Sequence, residues 1–196
     1  MKVLGVDPGL DTTGWALVSQ EGSRLRALAY GVIRTRPRDC LEERLAQLYQ
    51  AASRVMRDRE PEAVALEALY SAYTHPGTAI LMGHARGVVC LCAAQQRVPV
   101  FHYGATQVKR SLTGRGRASK EQVQGMVGTL LGLDLSKHPA DVADALALAL
   151  CHCNIASRPA RIGGRESGGG SDYGGSGRAD SSHARIRGHN WLRRKR

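Results

Sequence analysis

Residues 4–18 read LGVDPGLDTTGWALV, and the fold turns on them. The run Val3-Leu4-Gly5-Val6 is apolar and continuous, as a buried strand requires. It reaches Asp7 and breaks at once on Pro8-Gly9, a turn pair. A second apolar run, Trp15-Ala16-Leu17-Val18, follows closely, so the stretch reads as a hairpin. Asp7 closes the first strand instead of lying in the turn proper. A lone carboxylate at the end of a core strand costs free energy unless it is paired or holds a metal ion.

Outward from this hairpin, the pattern predicts strands over 2–7, 13–19 and 26–35. A helix is predicted over 41–58, with Leu41, Leu45, Leu48 and Val55 on its apolar face. A strand at 61–69, a long Ala/Gly-rich helix at 77–96 and a short strand at 98–103 come next. Helices at 104–112, 119–132 and 139–155 close the series. Three strands in a meander, then alternating strands and helices, imply an α/β fold. It is a mixed five-stranded sheet with an antiparallel meander, parallel strands and helices on both faces.

Of 28 Lys/Arg and 17 Asp/Glu, ten and three fall from Ser157 onward. That leaves 18 basic and 14 acidic residues in 1–156, so both parts are basic and the C-terminal one strongly so. Such a balance suits a polyanion partner, though a charged surface also serves solubility. Residues 157–196 are rich in glycine with no apolar period, and read as a disordered basic tail beside a domain of 1–156. No apolar run is expected to be long enough to span a bilayer, and no signal peptide is expected before the first strand. With five cysteines, an odd number, in mostly apolar surroundings, the expectation is a reduced cytoplasmic protein without a disulfide frame or a membrane partner. The CHC of 151–153 reads as ordinary packing, since residues i and i+2 do not share a helix face.

Four acids lie in apolar contexts: Asp7, Glu67 in AVALEAL, and Asp141 and Asp144 in HPADVADALALAL. Each has an ordinary account by itself. Asp7 suits a turn, Glu67 a strand end, and Asp141 a helix start after Pro139. Asp144, one turn deeper among alanines and leucines, fits that account least. Taken together they suggest a site. If the first and fourth strands are neighbours, Asp7 and Glu67 meet at one sheet edge, and the last helix lays Asp141 and Asp144 across them. Four carboxylates in one pocket repel, and a hard cation relieves that repulsion through oxygen ligands. Two such ions about 4 Å apart activate a water and stabilise the leaving oxygen of a phosphodiester.

GVDPG, the LE closing the fourth strand, GHARGV, QVKRSLTGRGRASKEQV and ADVADALALAL, in this order over residues 1–155, resemble the RuvC family of Holliday junction endonucleases. The resemblance implies an RNase H-like fold and a homodimeric nuclease dependent on Mg²⁺ or Mn²⁺, with two ions per site. It implies symmetric nicking of two strands of like polarity at a four-way DNA junction, in recombination and repair. The ends left are 5′-phosphate and 3′-hydroxyl. By position, Asp7, Glu67, Asp141 and Asp144 are its acidic set, and Lys109 and Lys120 match lysines near the scissile phosphate. Tyr70 matches an aromatic that stacks on unpaired bases, with tyrosine where phenylalanine is familiar. Arg110, Arg115 and Arg117 are expected at the DNA backbone. The RuvA–RuvB branch-migration complex is the implied partner, and the helix at 77–96 the candidate dimer surface.

Two features depart from the family pattern: the loop SAYTHPGTA after Tyr70, and the Gly-rich tail. Two other readings stay open on the sequence, a YqgF-type nuclease acting on RNA and a catalytically silent junction-binding protein. The hairpin also resembles the phosphate loop of actin-like ATPases and sugar kinases, which need a second facing domain that the chain's basic tail does not supply.

Overall fold

The computed structural model describes residues 1–68 and 76–157, apart from the side chain of residue 76. Tyr70, most of the loop after it and the predicted tail lie outside the described residues. The elements all fall within a unit spanning Met1–Ala160.

The strands are β1 (Lys2–Asp7), β2 (Thr12–Glu21), β3 (Arg24–Arg34), β4 (Ala63–Glu67) and β5 (Val100–Tyr103). The helices are α1 (Leu41–Arg59), α2 (Pro76–Gln95), α3 (Ala105–Thr113), α4 (Lys120–Leu131) and α5 (Ala140–Ala156), with a 3₁₀ turn at Leu135–Lys137. The sheet order is β3-β2-β1-β4-β5. The first three strands pair antiparallel, while β4 joins β1 and β5 in parallel. This is the mixed five-stranded sheet that the sequence implied, with β1 and β4 adjacent.

Side chains alternate across each strand, and the two sheet faces bury different helices. Leu4 and Val6 of β1 and Val64 and Leu66 of β4 pack with Ala52 and Met56 of α1 and Val89 and Cys92 of α2. Val3 and Ala65 pack on the opposite face with α5, Val108 and Leu112 of α3, and Val123 and Val127 of α4. The same alternation continues to the strand ends. Asp7 follows Val3 and Gly5, and Glu67 follows Ala63 and Ala65, so both acids belong to the α5 face.

Some boundaries differ from the sequence reading. β4 begins two residues after Pro61, because Glu62 spends its amide on the Lys2 carbonyl outside the ladder. β3 stops before Thr35, whose buried hydroxyl donates to the Leu10 carbonyl at 2.6 Å. The buried stripe of α1 is Leu48, Ala52 and Met56, and Leu41 lies exposed at the helix start. The 3₁₀ turn was not anticipated. No disulfide joins the five cysteines. Cys151, His152 and Cys153 are all buried, because α5 is enclosed almost all round. The Tyr103 hydroxyl and His152 Nδ1 share a hydrogen bond of 2.7 Å.

One membrane expectation is corrected. By length and composition Gly77–Gln95 could cross a bilayer, and only 22 % of it is buried. Its buried side nevertheless packs on α1, where the Ser53 hydroxyl donates to Cys92 Sγ at 3.2 Å and Gln96 Nε2 to the Ser53 carbonyl at 3.1 Å.

Candidate active site

The turn after Asp7 is closed by its own threonine. Buried Thr13 donates from Oγ1 to the Gly9 carbonyl at 2.6 Å and accepts from the Gly9 amide at 3.3 Å. These bonds turn the chain away at Pro8-Gly9 and leave the Asp7 carboxylate without a turn role. On the next strand over, Glu67 ends β4, and the Ala68 amide donates to the Tyr103 carbonyl at 2.9 Å just beyond it.

Helix α5 reaches these strand ends because two strand positions carry no side chain. A Cβ on Gly5 would lie 2.0 Å from the Ala145 carbonyl oxygen, and one on Gly14 would lie 2.1 Å from that of Asp141. The absence of these two carbons lets α5 sit directly on β1 and β2. Its first two turns then bring Asp141 and Asp144 over the acid-bearing edge.

A cleft of about 220 Å³ opens there, lined by Asp7, Glu67, Asp144, Lys109 and Lys120 with an apolar wall that includes Val108, Val123 and Leu148. Asp141 is not part of the lining. Lys120 opens α4, where Ser119 forms a capping box with Gln122. Its Nζ lies 2.8 Å from Asp144 Oδ2. That bond is the main cause holding the Lys120 pKa above its ordinary value.

Asp7 and Glu67 lie in the field of the neighbouring acids. Burial pushes the Asp7 pKa up to about 7, and the charges of Asp144, Glu67 and Asp141 add to the effect, with Lys120 opposing. Glu67 is also raised, first by burial and then by Asp144, against Lys120 and Arg86. An all-oxygen donor set under mutual repulsion fits a hard divalent cation. Among the described residues, no three Asp, Glu, His or Cys side chains are gathered into a ready-made cage. As placed, the acids share a field without sharing a coordination sphere.

The other expected residues divide. Lys109 and Lys120 line the cleft. Arg115 and Arg117 are exposed on the segment between α3 and α4. Arg110 instead lines a separate hollow with Gln107, Ser111 and Ile155.

Two features escaped the sequence reading. Arg86, half-buried on α2, donates from Nη1 to the Glu67 carbonyl and from Nη2 to His102 Nδ1 at 2.7 Å. An arginine inside the apolar GHARGV was the available signal. The second feature is a set of three exposed arginines, Arg34, Arg36 and Arg38, where β3 leaves the sheet at the acid-bearing edge. Their segment is pinned by the Thr35 amide to the Asp11 carbonyl, the Arg36 amide to Gln47 Oε1, and Arg44 to both Thr35 and Asp11. The alternation in RTRPRD was the signal there.

Acids at the ends of adjacent central strands, completed by a helix crossing that sheet, suit a nuclease of the RNase H-like fold. The chain belongs to the RuvC family: the family profile described as crossover junction endodeoxyribonuclease RuvC matches residues 3–152. It is therefore an endonuclease of a family that uses a divalent metal. The chain is 50% identical to the crossover junction endodeoxyribonuclease RuvC of Rhodopirellula baltica over 157 residues, 80% of this chain and 88% of that one. It is 44% identical to that of Alkaliphilus oremlandii over 154 residues, 79% and 93% of the two chains. The structure of Thermus thermophilus RuvC in complex with Holliday junction substrate matches with a TM-score of 0.75 and 38% identity, covering 80% of this chain and 94% of that one. The yeast mitochondrial Holliday junction resolvase Ydc2 shares the fold, with a TM-score of 0.59 at 14% identity over 78% of this chain and 77% of that one.

Proposed function

We propose that this protein is a Holliday junction resolvase acting in recombination and DNA repair. It nicks two strands of like polarity symmetrically across a four-way junction and leaves 5′-phosphate and 3′-hydroxyl ends. The observation that carries this reading is the cleft in which Asp7, Glu67 and Asp144 face Lys109 and Lys120, within reach of the Asp141 charge.

Asp7, Glu67 and Asp144 would hold Mg²⁺ or Mn²⁺, two ions per site. When bound, the metal supplies an activated water and Lewis-acid stabilisation of the leaving oxygen. Asp7 and Glu67, fixed by the parallel β1–β4 pair, set the positions of the site, and Asp144 completes it from α5. Asp141 acts through its charge at the margin. Lys109 and Lys120 neutralise the scissile phosphate, and the apolar wall of Val108, Val123 and Leu148 lowers local hydration, which strengthens both interactions. Arg115, Arg117 and the Arg34–Arg36–Arg38 set hold backbone phosphates on either side of the acid edge. Arg110 contacts DNA only at the periphery of this surface. Tyr70 stacks on unpaired bases at the crossover.

The enzyme works as a C₂ homodimer, matching the two-fold junction. Helix α2 supports this, since Ile80 (61 % exposed), His84, Gly87 and Leu91 (51 % exposed) recur at helical spacing on one open face. A Cβ on Gly87 would meet nothing within 4 Å, leaving room for a close helix–helix approach. The protein acts in the cytoplasm with the RuvA–RuvB complex and without a membrane partner.

A labelled four-way junction, a linear duplex and an RNA–DNA hybrid, each incubated with Mg²⁺ or Mn²⁺, test this function. The junction should be cut into two nicked duplexes that ligase reseals. Preferential cutting of the hybrid would favour an RNA nuclease. An intact but bound junction would favour a silent binding protein.

A further inference from the structure

We propose that Arg86 is a positioning residue that clamps Glu67 in place and ties the seating of α2 to the acid edge. The inference rests on the reading of Glu67 as part of the reaction site.

β1 pairs with β4 only as far as Val6–Leu66, so Glu67 lies one residue past the support of the central strand. Its peptide is held from two other directions. The Ala68 amide donates to the Tyr103 carbonyl of β5, and the Glu67 carbonyl accepts from Arg86 Nη1. The second arm of the guanidinium donates to His102 Nδ1 at 2.7 Å. Arginine has no acceptor, so Nδ1 is the acceptor and the proton of the neutral ring sits on Nε2. One planar fork thus bridges the ends of β4 and β5, which a lysine could not do.

The choice of partner is informative. Among the described residues Arg86 forms no salt bridge with a carboxylate. A half-buried guanidinium spent on a main-chain carbonyl fixes the backbone from which the Glu67 side chain departs. Its charge also favours the ionised form of Glu67 against burial and Asp144.

Arg86 sits beside the buried stripe of Ala85, Val89 and Cys92, while Ile80, His84, Gly87 and Leu91 occupy the open side of the same helix. Arg86 therefore reaches Glu67 from the seated side of α2, apart from its open face.

The test compares the full-length wild type with Arg86→Ala and Arg86→Lys in four measurements. Sedimentation gives the oligomeric state and calorimetry gives Mn²⁺ affinity. Amide exchange reports on Ala68, and single-turnover cutting of a labelled junction reports on activity. Both variants should keep the wild-type oligomeric state and junction affinity. Mn²⁺ should bind about 10-fold more weakly, and cleavage should fall by a similar factor, with partial rescue by added Mn²⁺. Exchange at Ala68 should quicken about 10-fold. Wild-type Mn²⁺ affinity and Ala68 exchange in both variants would overturn the proposal. So would full restoration by lysine, which would assign the effect to charge alone, or loss of the wild-type oligomeric state, which would make Arg86 an interface residue. A wild-type protein that cuts no junction would contradict the proposed function, while Ala68 exchange and Mn²⁺ binding would still judge the clamp.

Discussion

Helices α2 and α5 are similar in composition and opposite in environment. Both are long, rich in alanine and small residues, and apolar over most of their circumference. α5 is buried from Val142 to Cys153, apart from Asp144, by the sheet on one side and by α3 and α4 on others. α2 is seated along one stripe on α1 and the sheet, and leaves Ile80, Leu81 and Leu91 in the open. An all-round apolar helix needs burial all round. The chain provides that burial for α5, which carries two of the acids. For α2 it provides far less, with 22 % of Gly77–Gln95 buried, and the proposed second copy provides the rest. A shared composition thus marks an internal scaffold in one case and the proposed assembly surface in the other.

The largest effect is expected where α5 is closest to the sheet. Gly5→Ala and Gly14→Ala each place a carbon about 2 Å from an α5 carbonyl oxygen. Forcing α5 off the sheet should cost about 3 kcal/mol, read as a fall of roughly 6–12 °C in melting temperature. Cleavage should drop about 100-fold even where the protein stays folded, because the acids are displaced by an ångström or so. A variant that keeps wild-type melting and cleavage would show that α5 does not depend on these gaps.

The complementary change on α2 should separate assembly from folding. Ile80→Glu with Leu91→Glu should leave the melting temperature of the monomeric unit nearly unchanged, as expected for exposed positions. The same change should weaken self-association by at least about 100-fold, through charges placed at an apolar interface. Sedimentation equilibrium reads this directly. Paired nicking should then give way to single nicks. An unchanged dimer would place the interface elsewhere.

Proton linkage offers a third probe, confined to the α5 side. Asp7 has a pKa of about 7 in the fold against 3.8 ordinarily, so the folded chain holds the proton more tightly. Its contribution to stability is present below about pH 4 and is lost as pH rises through 7. Metal-free Asp7→Asn should therefore melt several degrees above wild type at pH 7.5, but not at pH 4. Divalent metal should raise the wild-type melting temperature most at high pH, and the acid limb of cleavage should move to lower pH as metal is increased. A mutant that gains nothing at pH 7.5 would remove the shared field.

The smallest effect belongs to the arginine set at the end of β3. Replacing Arg34, Arg36 and Arg38 with alanine should weaken junction binding about 10-fold at moderate salt. It should also flatten the salt dependence by about two to three phosphate contacts, with cleavage at saturating protein unchanged. A preserved salt slope would return these residues to ordinary solvated surface.

Much of this was legible in the sequence, for reasons that can be traced to residues. The order of strands and helices along the chain followed from periodicity, and the four acids stood out because each lies in an apolar context. The alternation Val3, Gly5, Asp7 and Ala63, Ala65, Glu67 puts both strand acids on one face once the β1–β4 pairing is known. What escaped depends on packing between distant segments. Nothing local reveals that Gly5 and Gly14 are spaces for α5, that Asp141 stays outside the cleft lining, or that Arg110 turns to another hollow. Periodicity places Leu41 on the buried stripe of α1, and only the packed structure shows it exposed. The apolar run at 77–95 has the composition of a membrane span, and its seating on α1 is a tertiary fact. Arg86 was visible as a charge in an apolar helix, but its partner lies nineteen residues away, on the carbonyl of Glu67.

The central claim is that the acid edge on the α5 side cuts four-way junctions, and Asp7→Asn tests it most directly. Wild type and variant are compared on one labelled junction, with binding measured in Ca²⁺ and cutting in Mg²⁺ or Mn²⁺. The account predicts junction binding within about two-fold of wild type, with cleavage reduced by at least about 1000-fold in either metal, as expected for removal of a catalytic metal ligand. Residual cutting near the wild-type rate would contradict it, and so would loss of binding together with loss of the fold.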